Sequence, residues 1–282
     1  VLRSRRGWAL PVLAVLLLVV AALSRCTTRA MGSALMNSLL YFPLRQLEAS
    51  PAAHGLVFQD VAFAAEDGVR LHGWWIAARG QDRLGHVLHF HGNGGNISHR
   101  LLDAEALARA GFDVFLLDYR GYGRSEGHPS EAGTYRDARA ARQAALARPE
   151  VDPARLYYLG ESLGGAVALN LALETAPRGL VLQSVFTSVR DMARLHYPVV
   201  PAAIVPDAYP SLRRVRDLRS PLLVLHGEVD DLVPVAHGRA IFAAAPEPKH
   251  LHVFPRAGHN DLLLVAGQEY ARVIEAWARS LP

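Results

Sequence analysis

The sequence predicts an α/β protein, a mostly parallel central sheet flanked by helices, with one small insertion forming a cap. Short apolar runs rich in Val, Leu and Tyr alternate with longer amphipathic stretches, the pattern of strand–helix units in which successive strands lie parallel. No internal repeat or low-complexity tract interrupts that rhythm. The chain has 282 residues and is 51% apolar, enough to fill one large domain with a continuous core.

Taken in order, Gln59 to Ala64 and Val69 to Ala77 alternate around Glu66-Asp67-Gly68 as a hairpin. His86 to Phe90, Asp113 to Asp118, Leu156 to Leu159, Gly179 to Gln183, Pro221 to Leu225 and His250 to Phe254 then read as successive strands. Helical patterns lie between and after them, over Ser98 to Arg109, Thr134 to Arg148, Gly164 to Thr175, Val235 to Ala244 and Gln268 to Arg279. Residues 185–212 break the rhythm. Pro198, Pro201, Pro206 and Pro210 sit there among apolar and aromatic residues, as expected of a cap between two strands. Tyr197 and Tyr209 are its candidate substrate contacts, with packing of the cap onto the core as the alternative role.

Residues 1–30 form a separate segment ahead of the domain at 31–282. Trp8 to Leu23 is uncharged and almost wholly apolar, and Arg3, Arg5 and Arg6 precede it. That charge order suits a single-pass signal anchor, with the N-terminus in the cytoplasm and the body outside, in the periplasm if the cell is bacterial. A secretory signal is the alternative, since Ala22-Leu23-Ser24 offers a cleavage site and the run is shorter than the roughly 20 residues of a full span. Cys26 stands where a lipidated cysteine would, but Arg25 occupies the small-residue position before it.

Charge excludes other classes. Of 30 basic side chains, five lie within residues 1–30, which leaves 25 against 26 acidic ones in the rest. The body is nearly neutral, without the basic clustering that nucleic-acid binding needs. A single cysteine rules out an internal disulfide and a Cys-based zinc framework, so no metal is expected. No cofactor motif is present either. The glycine-rich loop at His91 to Asn96 lacks the Gly-Lys-Ser/Thr ending of a phosphate cradle.

Two pentapeptides fit Gly-x-Ser-x-Gly, a pattern in which a strand turns into a helix so sharply that only small residues can flank an exposed serine. Gly160-Glu161-Ser162-Leu163-Gly164 follows the apolar run Leu156 to Leu159 and opens the helical pattern from Gly165. Gly123-Arg124-Ser125-Glu126-Gly127 follows Asp118-Tyr119-Arg120-Gly121-Tyr122 and runs into His128-Pro129, and the residue before proline avoids the helical region. Strand, elbow and helix therefore single out Ser162 as the candidate nucleophile.

A serine hydroxyl needs an imidazole to take its proton, and the imidazole needs an acceptor to fix its tautomer. Among 13 histidines, His259 lies in the loop between the last strand and the terminal helix, where a ring can reach a nucleophile. His226, His250 and His252 read as strand residues with core or surface roles. The stretch His226 to Pro234, just past the run Pro221 to Leu225, offers three carboxylates; Asp230 is the candidate acid, because its spacing before Val233-Pro234 resembles the Gly-x-x-Asp-x-x-Val-Pro pattern of a known hydrolase superfamily, and Asp231 and Glu228 are its rivals. The amide of Leu163 is the first expected oxyanion donor, and Asn93 in the loop after the third strand the second.

Three motifs, His91-Gly92-Asn93-Gly94-Gly95-Asn96, Asp118 to Ser125 and Gly160 to Gly165, together with Leu40-Tyr41-Phe42-Pro43, resemble the α/β-hydrolase domain-containing proteins of types 13 and 17 and their bacterial relatives. The likeness runs from about Leu40 to the C-terminus. It implies the α/β-hydrolase fold and a membrane-tethered serine hydrolase with a small cap, acting on a carboxylic ester or thioester of a small-molecule or lipid-like acyl group. The cysteine-rich N-terminus of the branch that removes acyl groups from proteins is absent, so that activity does not carry over. Amide or peptide cleavage and a non-catalytic, membrane-anchored binding module are the alternatives.

Overall fold

The computed structural model describes residues 37–80, 82–201 and 204–282. The expected anchor at Trp8 to Leu23 and the cysteine at Cys26 lie outside them. Among the described residues no helix is long and apolar enough to cross a membrane. Two units divide the chain at Phe42 and Pro43; of the first, the described residues 37–40 are helical, and Pro43–Pro282 is the second.

The second unit is built on one eight-stranded sheet. Its first two strands, β1 (Phe58–Ala64) and β2 (Arg70–Ile76), pair antiparallel from Phe58 opposite Ile76 to Ala64 opposite Arg70. The turn between them closes with Gly68 in the left-handed region. The remaining strands are β3 (Gly85–Phe90), β4 (Phe112–Asp118), β5 (Leu156–Glu161), β6 (Gly179–Gln183), β7 (Leu222–Gly227) and β8 (Lys249–Phe254). They lie in the order β1-β2-β4-β3-β5-β6-β7-β8, parallel from β4 onward.

Strands β3 to β7 are buried along their whole length, which explains why the sequence writes them as continuous apolar runs rather than alternating ones. Helices α1 (Leu101–Arg109) and α8 (Gln268–Ser280) share a core with Val114, Leu116, Leu159 and Val181 of the sheet. Successive strand residues point to opposite faces. Phe115, Leu117, Tyr158 and Leu182 therefore face the other side, where α2 (Glu131–Leu146) and α3 (Leu163–Glu174) pack on each other. Each such side chain, fully buried, contributes about 1.5–3 kcal/mol of hydrophobic stabilisation.

The chain steps from β3 outward to β4 and returns on the opposite side of β3 to form β5. This reversal opens a crevice at the carboxyl ends of β3 and β5, where ligands of open α/β sheets bind. The loop at His91 to Asn96 and the elbow at Ser162 sit at those two ends.

Several elements differ from expectation. Helix α2 begins at Glu131, ahead of the expected Thr134, because the Ser130 hydroxyl accepts the Gly133 amide at 3.1 Å and so caps the helix earlier. Between β6 and β7, the proline-rich stretch holds α4 (Val189–His196), capped by Ser188 on the Asp191 amide, and the short α5 (Ser211–Arg214). After β7 comes α6 (Val235–Ala244), within the expected bounds. A further short helix, α7 (Leu262–Ala266), precedes α8; five residues are too few to show a period.

Candidate active site

Strand β5 ends at Glu161 and helix α3 starts at Leu163, so the whole change of direction falls on Ser162. Its backbone takes φ 51° and ψ −115°, a conformation that L-residues adopt at a cost of about 1–3 kcal/mol and hold only where the surroundings enforce it. Those surroundings are visible. The Ser162 amide donates to Gln183 O at 2.8 Å, which ties the elbow to β6. A Cβ on Gly164 would collide with the carbonyl oxygens of Phe90 and His91, and one on Gly160 with the Gly164 carbonyl. The two glycines are the condition for α3 to start directly beneath the loop that follows β3.

That loop is pinned at several points. The Tyr122 hydroxyl donates to Asn93 O at 2.7 Å and the Tyr119 hydroxyl to His91 O at 3.1 Å. Asn96 donates through its side chain to Leu44 O and Gln46 O, and its Oδ1 accepts the Ser98 amide. Asp118, at the end of β4, accepts the Ile97 amide at 3.0 Å. The glycine-rich segment is thus held as a fixed turn over the first residues of α3.

Asp230 and His259 come from loops 29 residues apart in sequence, and the structure brings them together. His259 Nδ1 lies 2.7 Å from Asp230 Oδ2, both side chains buried. The other carboxylate oxygen accepts the amides of Leu232 at 3.0 Å and Val233 at 2.7 Å. Two backbone bonds align the loops, from Glu228 N to Phe254 O and from Val229 N to Ala257 O. Burial alone would push the Asp230 carboxyl up. Hydrogen bonds from His226 and His259 and from the Val233 amide outweigh it and hold the group below the usual carboxylate range.

The rivals fall elsewhere. Ser125 is fully buried; its hydroxyl donates to Asp118 O at 2.8 Å and accepts the His72 amide at 2.9 Å, a clasp within a loop. Asp231 and Glu228 are exposed. His226 is buried beside the acid: its Nε2 donates to Val233 O at 2.7 Å and lies 3.4 Å from Asp230 Oδ2. Tyr209 is buried, with its hydroxyl 2.8 Å from Thr134 Oγ1 and its amide donating to Glu131, so it packs the cap segment onto α2. Tyr197 is exposed. Among the described residues no cluster of His, Cys, Asp and Glu could hold a metal ion.

Sequence reasoning missed a second tier of residues. Tyr122 and Tyr119 hold the loop, and Arg100 makes a 2.6 Å ion pair with Glu161, the residue before the candidate nucleophile. The two tyrosines stand in the motif Asp118 to Tyr122, which offered a signal. Arg100 and Glu161 are 61 positions apart with no local pattern linking them.

A sheet of this order, with an elbow serine after β5, an acid after β7 and a histidine after β8, defines the α/β hydrolases. The sequence profile of the alpha/beta hydrolase fold matches residues 85–202. An uncharacterized protein of Mycobacterium tuberculosis is 40% identical over 94% of this chain and 92% of its own length. The alpha/beta hydrolase domain-containing protein WAV2 of Arabidopsis thaliana is 33% identical over 84% of this chain and 85% of its own. This chain belongs to the α/β-hydrolase family. An esterase of Pyrococcus furiosus has the same fold, with a TM-score of 0.71 at 20% identity over 86% of this chain and 98% of that one.

Proposed function

We propose that the chain is a serine hydrolase that cleaves a carboxylic ester or thioester through an acyl-enzyme, with Ser162 as nucleophile, His259 as base and Asp230 as its orienting acid. The observation that carries this reading is the strained backbone at Ser162, φ 51° and ψ −115°, in a chain whose His259 and Asp230 meet at 2.7 Å. Strain of this kind clusters at active sites and is held only where the surrounding structure enforces it. The esterase described for Pyrococcus furiosus agrees with the reaction class.

In the proposed cycle, Ser162 Oγ forms a bond to the substrate carbonyl carbon as its proton passes to His259 Nε2. Nδ1 donating to Asp230 leaves Nε2 as the acceptor on the ring, and the carboxylate stabilises the imidazolium that forms. The carbonyl oxygen becomes an oxyanion, met by the amides of Leu163 and Asn93. The carbonyl then re-forms, the alcohol or thiol leaves with the proton from His259, and water repeats the sequence to release the acid and restore Ser162. No cofactor takes part.

An apolar acyl group is supported by the exposed side chains of Tyr197, Val199 and Ile204 in the cap segment and of Val229 and Leu232 in the acid loop. His196 of α4 donates to Leu232 O at 2.8 Å and ties the two segments together. Tyr209, spent on packing, lies outside this set. The test is a p-nitrophenyl ester series from acetate to decanoate on the purified full chain. Hydrolysis that rises with acyl length and disappears in Ser162→Ala supports the reading, and hydrolysis that survives Ser162→Ala contradicts it. The same reading keeps Trp8 to Leu23 as a membrane anchor, which predicts that the full chain resists extraction by alkaline carbonate.

A further inference from the structure

Behind the elbow lies a charged pair that the proposed cycle does not use. Glu161 is the last residue of β5, and Arg100 immediately precedes α1. Their side chains are mostly buried and meet at 2.6 Å. A Cβ placed on Gly92 would lie 3.4 Å from Glu161 Oε1 and 3.5 Å from Arg100 Nη2, so the pair sits directly against the loop that carries Asn93. Glu161 is also joined through the backbone to Ser162, and its carboxylate interacts electrostatically with His259. One ion pair thus touches the nucleophile strand, the oxyanion loop and the field at the base.

Few side-chain charges face it. His89 from β3 and His91 from the loop are buried beside it, and burial, with Arg100 and His91 adding to it, brings His89 down to about 3, so that ring is neutral. Asp103 in the first turn of α1 loses hydration and feels Glu161, and its carboxyl is pushed up to about 7 against the pull of Arg100. Tyr119 and Tyr270 are buried phenols pushed well above their usual value. Burial would raise the Glu161 carboxyl, but the Arg100 guanidinium above all holds it below its usual range. Asp230 and His226 face His259 from the acid loop and β7.

We infer that Glu161 and Arg100 act as a charge-balanced pair of positioning residues, holding the oxyanion loop on the elbow and balancing the field in which His259 takes up its proton. A buried ion pair is a poor source of stability, because desolvation offsets much of the attraction, and breaking one partner leaves an uncompensated charge. Here each uncompensated charge would act on the base with opposite sign. Glu161→Gln leaves the guanidinium and disfavours the imidazolium. Arg100→Gln leaves the carboxylate and favours it.

The inference rests on the proposed serine hydrolase reading, so the test uses the rate of labelling by a fluorophosphonate, which needs Ser162 and neutral His259 but no knowledge of substrate. Labelling rate is measured against pH for the full chain, both single variants and the double variant. Relative to the parent, the acid limb moves down in Glu161→Gln and up in Arg100→Gln, by about half a pH unit or more each. The double variant returns toward the parent. Limbs that stay in place or move in the same direction overturn the inference, even if the rates fall, since a purely structural role lowers rate without opposed shifts. If a neutral variant does not fold, Glu161→Asp and Arg100→Lys take its place; these keep the parental limb while labelling more slowly, and a displaced limb in either overturns the inference. A parent that does not label would instead defeat the serine hydrolase reading itself, so the two failures are told apart.

Discussion

The molecule contains the pattern Gly-x-Ser-x-Gly twice, and the two copies fold into opposite things. At Gly160 to Gly164 the serine bears the strain, with φ 51° at Ser162, while its flanking glycines are small so that strand, helix and loop can touch. At Gly123 to Gly127 the glycines bear it: Gly123 and Gly127 have φ 46° and 79°, and a Cβ on Gly123 would collide with the Asp118 carboxylate. Ser125 keeps ordinary backbone and spends both roles of its hydroxyl inside the protein, on Asp118 O and the His72 amide. In the first copy, on the proposed reading, the fold is arranged around the serine that does the chemistry. In the second, the serine is one of the bonds that close a loop.

Removing each serine in turn separates the two copies most sharply. Ser162→Ala is expected to lower kcat for ester hydrolysis by on the order of 10⁴-fold or more with the thermal midpoint almost unchanged. Ser125→Ala should leave kcat within a few-fold. It removes one donor and strands the buried His72 amide, which costs about 1–3 kcal/mol and is read as a lowered midpoint in thermal or urea unfolding. A kcat that collapsed in Ser125→Ala with a native midpoint would invert the assignment.

Asp230→Asn comes next, with kcat lower by roughly 10³–10⁴-fold, because the amide favours the wrong histidine tautomer while the shape is kept. Tyr122→Phe removes the hydroxyl that holds Asn93 O; we expect a kcat lower by about 10-fold with KM little changed, measured by steady-state kinetics on a short ester. The smallest effect is one of stability. Asp230 titrates lower folded than unfolded, so its contribution is complete above the ordinary carboxylate value of about 4 and is lost as pH falls below it. The midpoint of the parent should therefore fall more steeply on acidification below about pH 4 than that of Asp230→Asn. Parallel curves would show that the acid is not held as described.

Much of this contrast is legible in the sequence. Leu156 to Leu159 ahead of Ser162, and the small residues after it, distinguish a strand–elbow–helix from the polar loop that runs into His128-Pro129 around Ser125. The parallel sheet was readable because its strands are buried on both faces and so appear as unbroken apolar runs. What stayed hidden depends on distance in space. The pairing of Arg100 with Glu161 and the hold of Tyr122 on Asn93 join segments far apart in sequence, and no spacing rule encodes them. Tyr209 stays open in the sequence for the opposite reason: an aromatic residue in an apolar cap suits a substrate wall or a packing contact equally, and the bonds to Thr134 and Glu131 favour the second. Helix α4 is hidden by the prolines that follow it and by its length, 8 residues being too few for a period to stand out.

If Ser162, and not Ser125, is the nucleophile, a covalent adduct must map to it. The full chain would be labelled with a fluorophosphonate, digested, and the modified peptide sequenced by mass spectrometry. A single phosphonylated serine is expected at Ser162, lost in Ser162→Ala and retained in Ser125→Ala. An adduct on Ser125, or labelling that persists in Ser162→Ala, would contradict it.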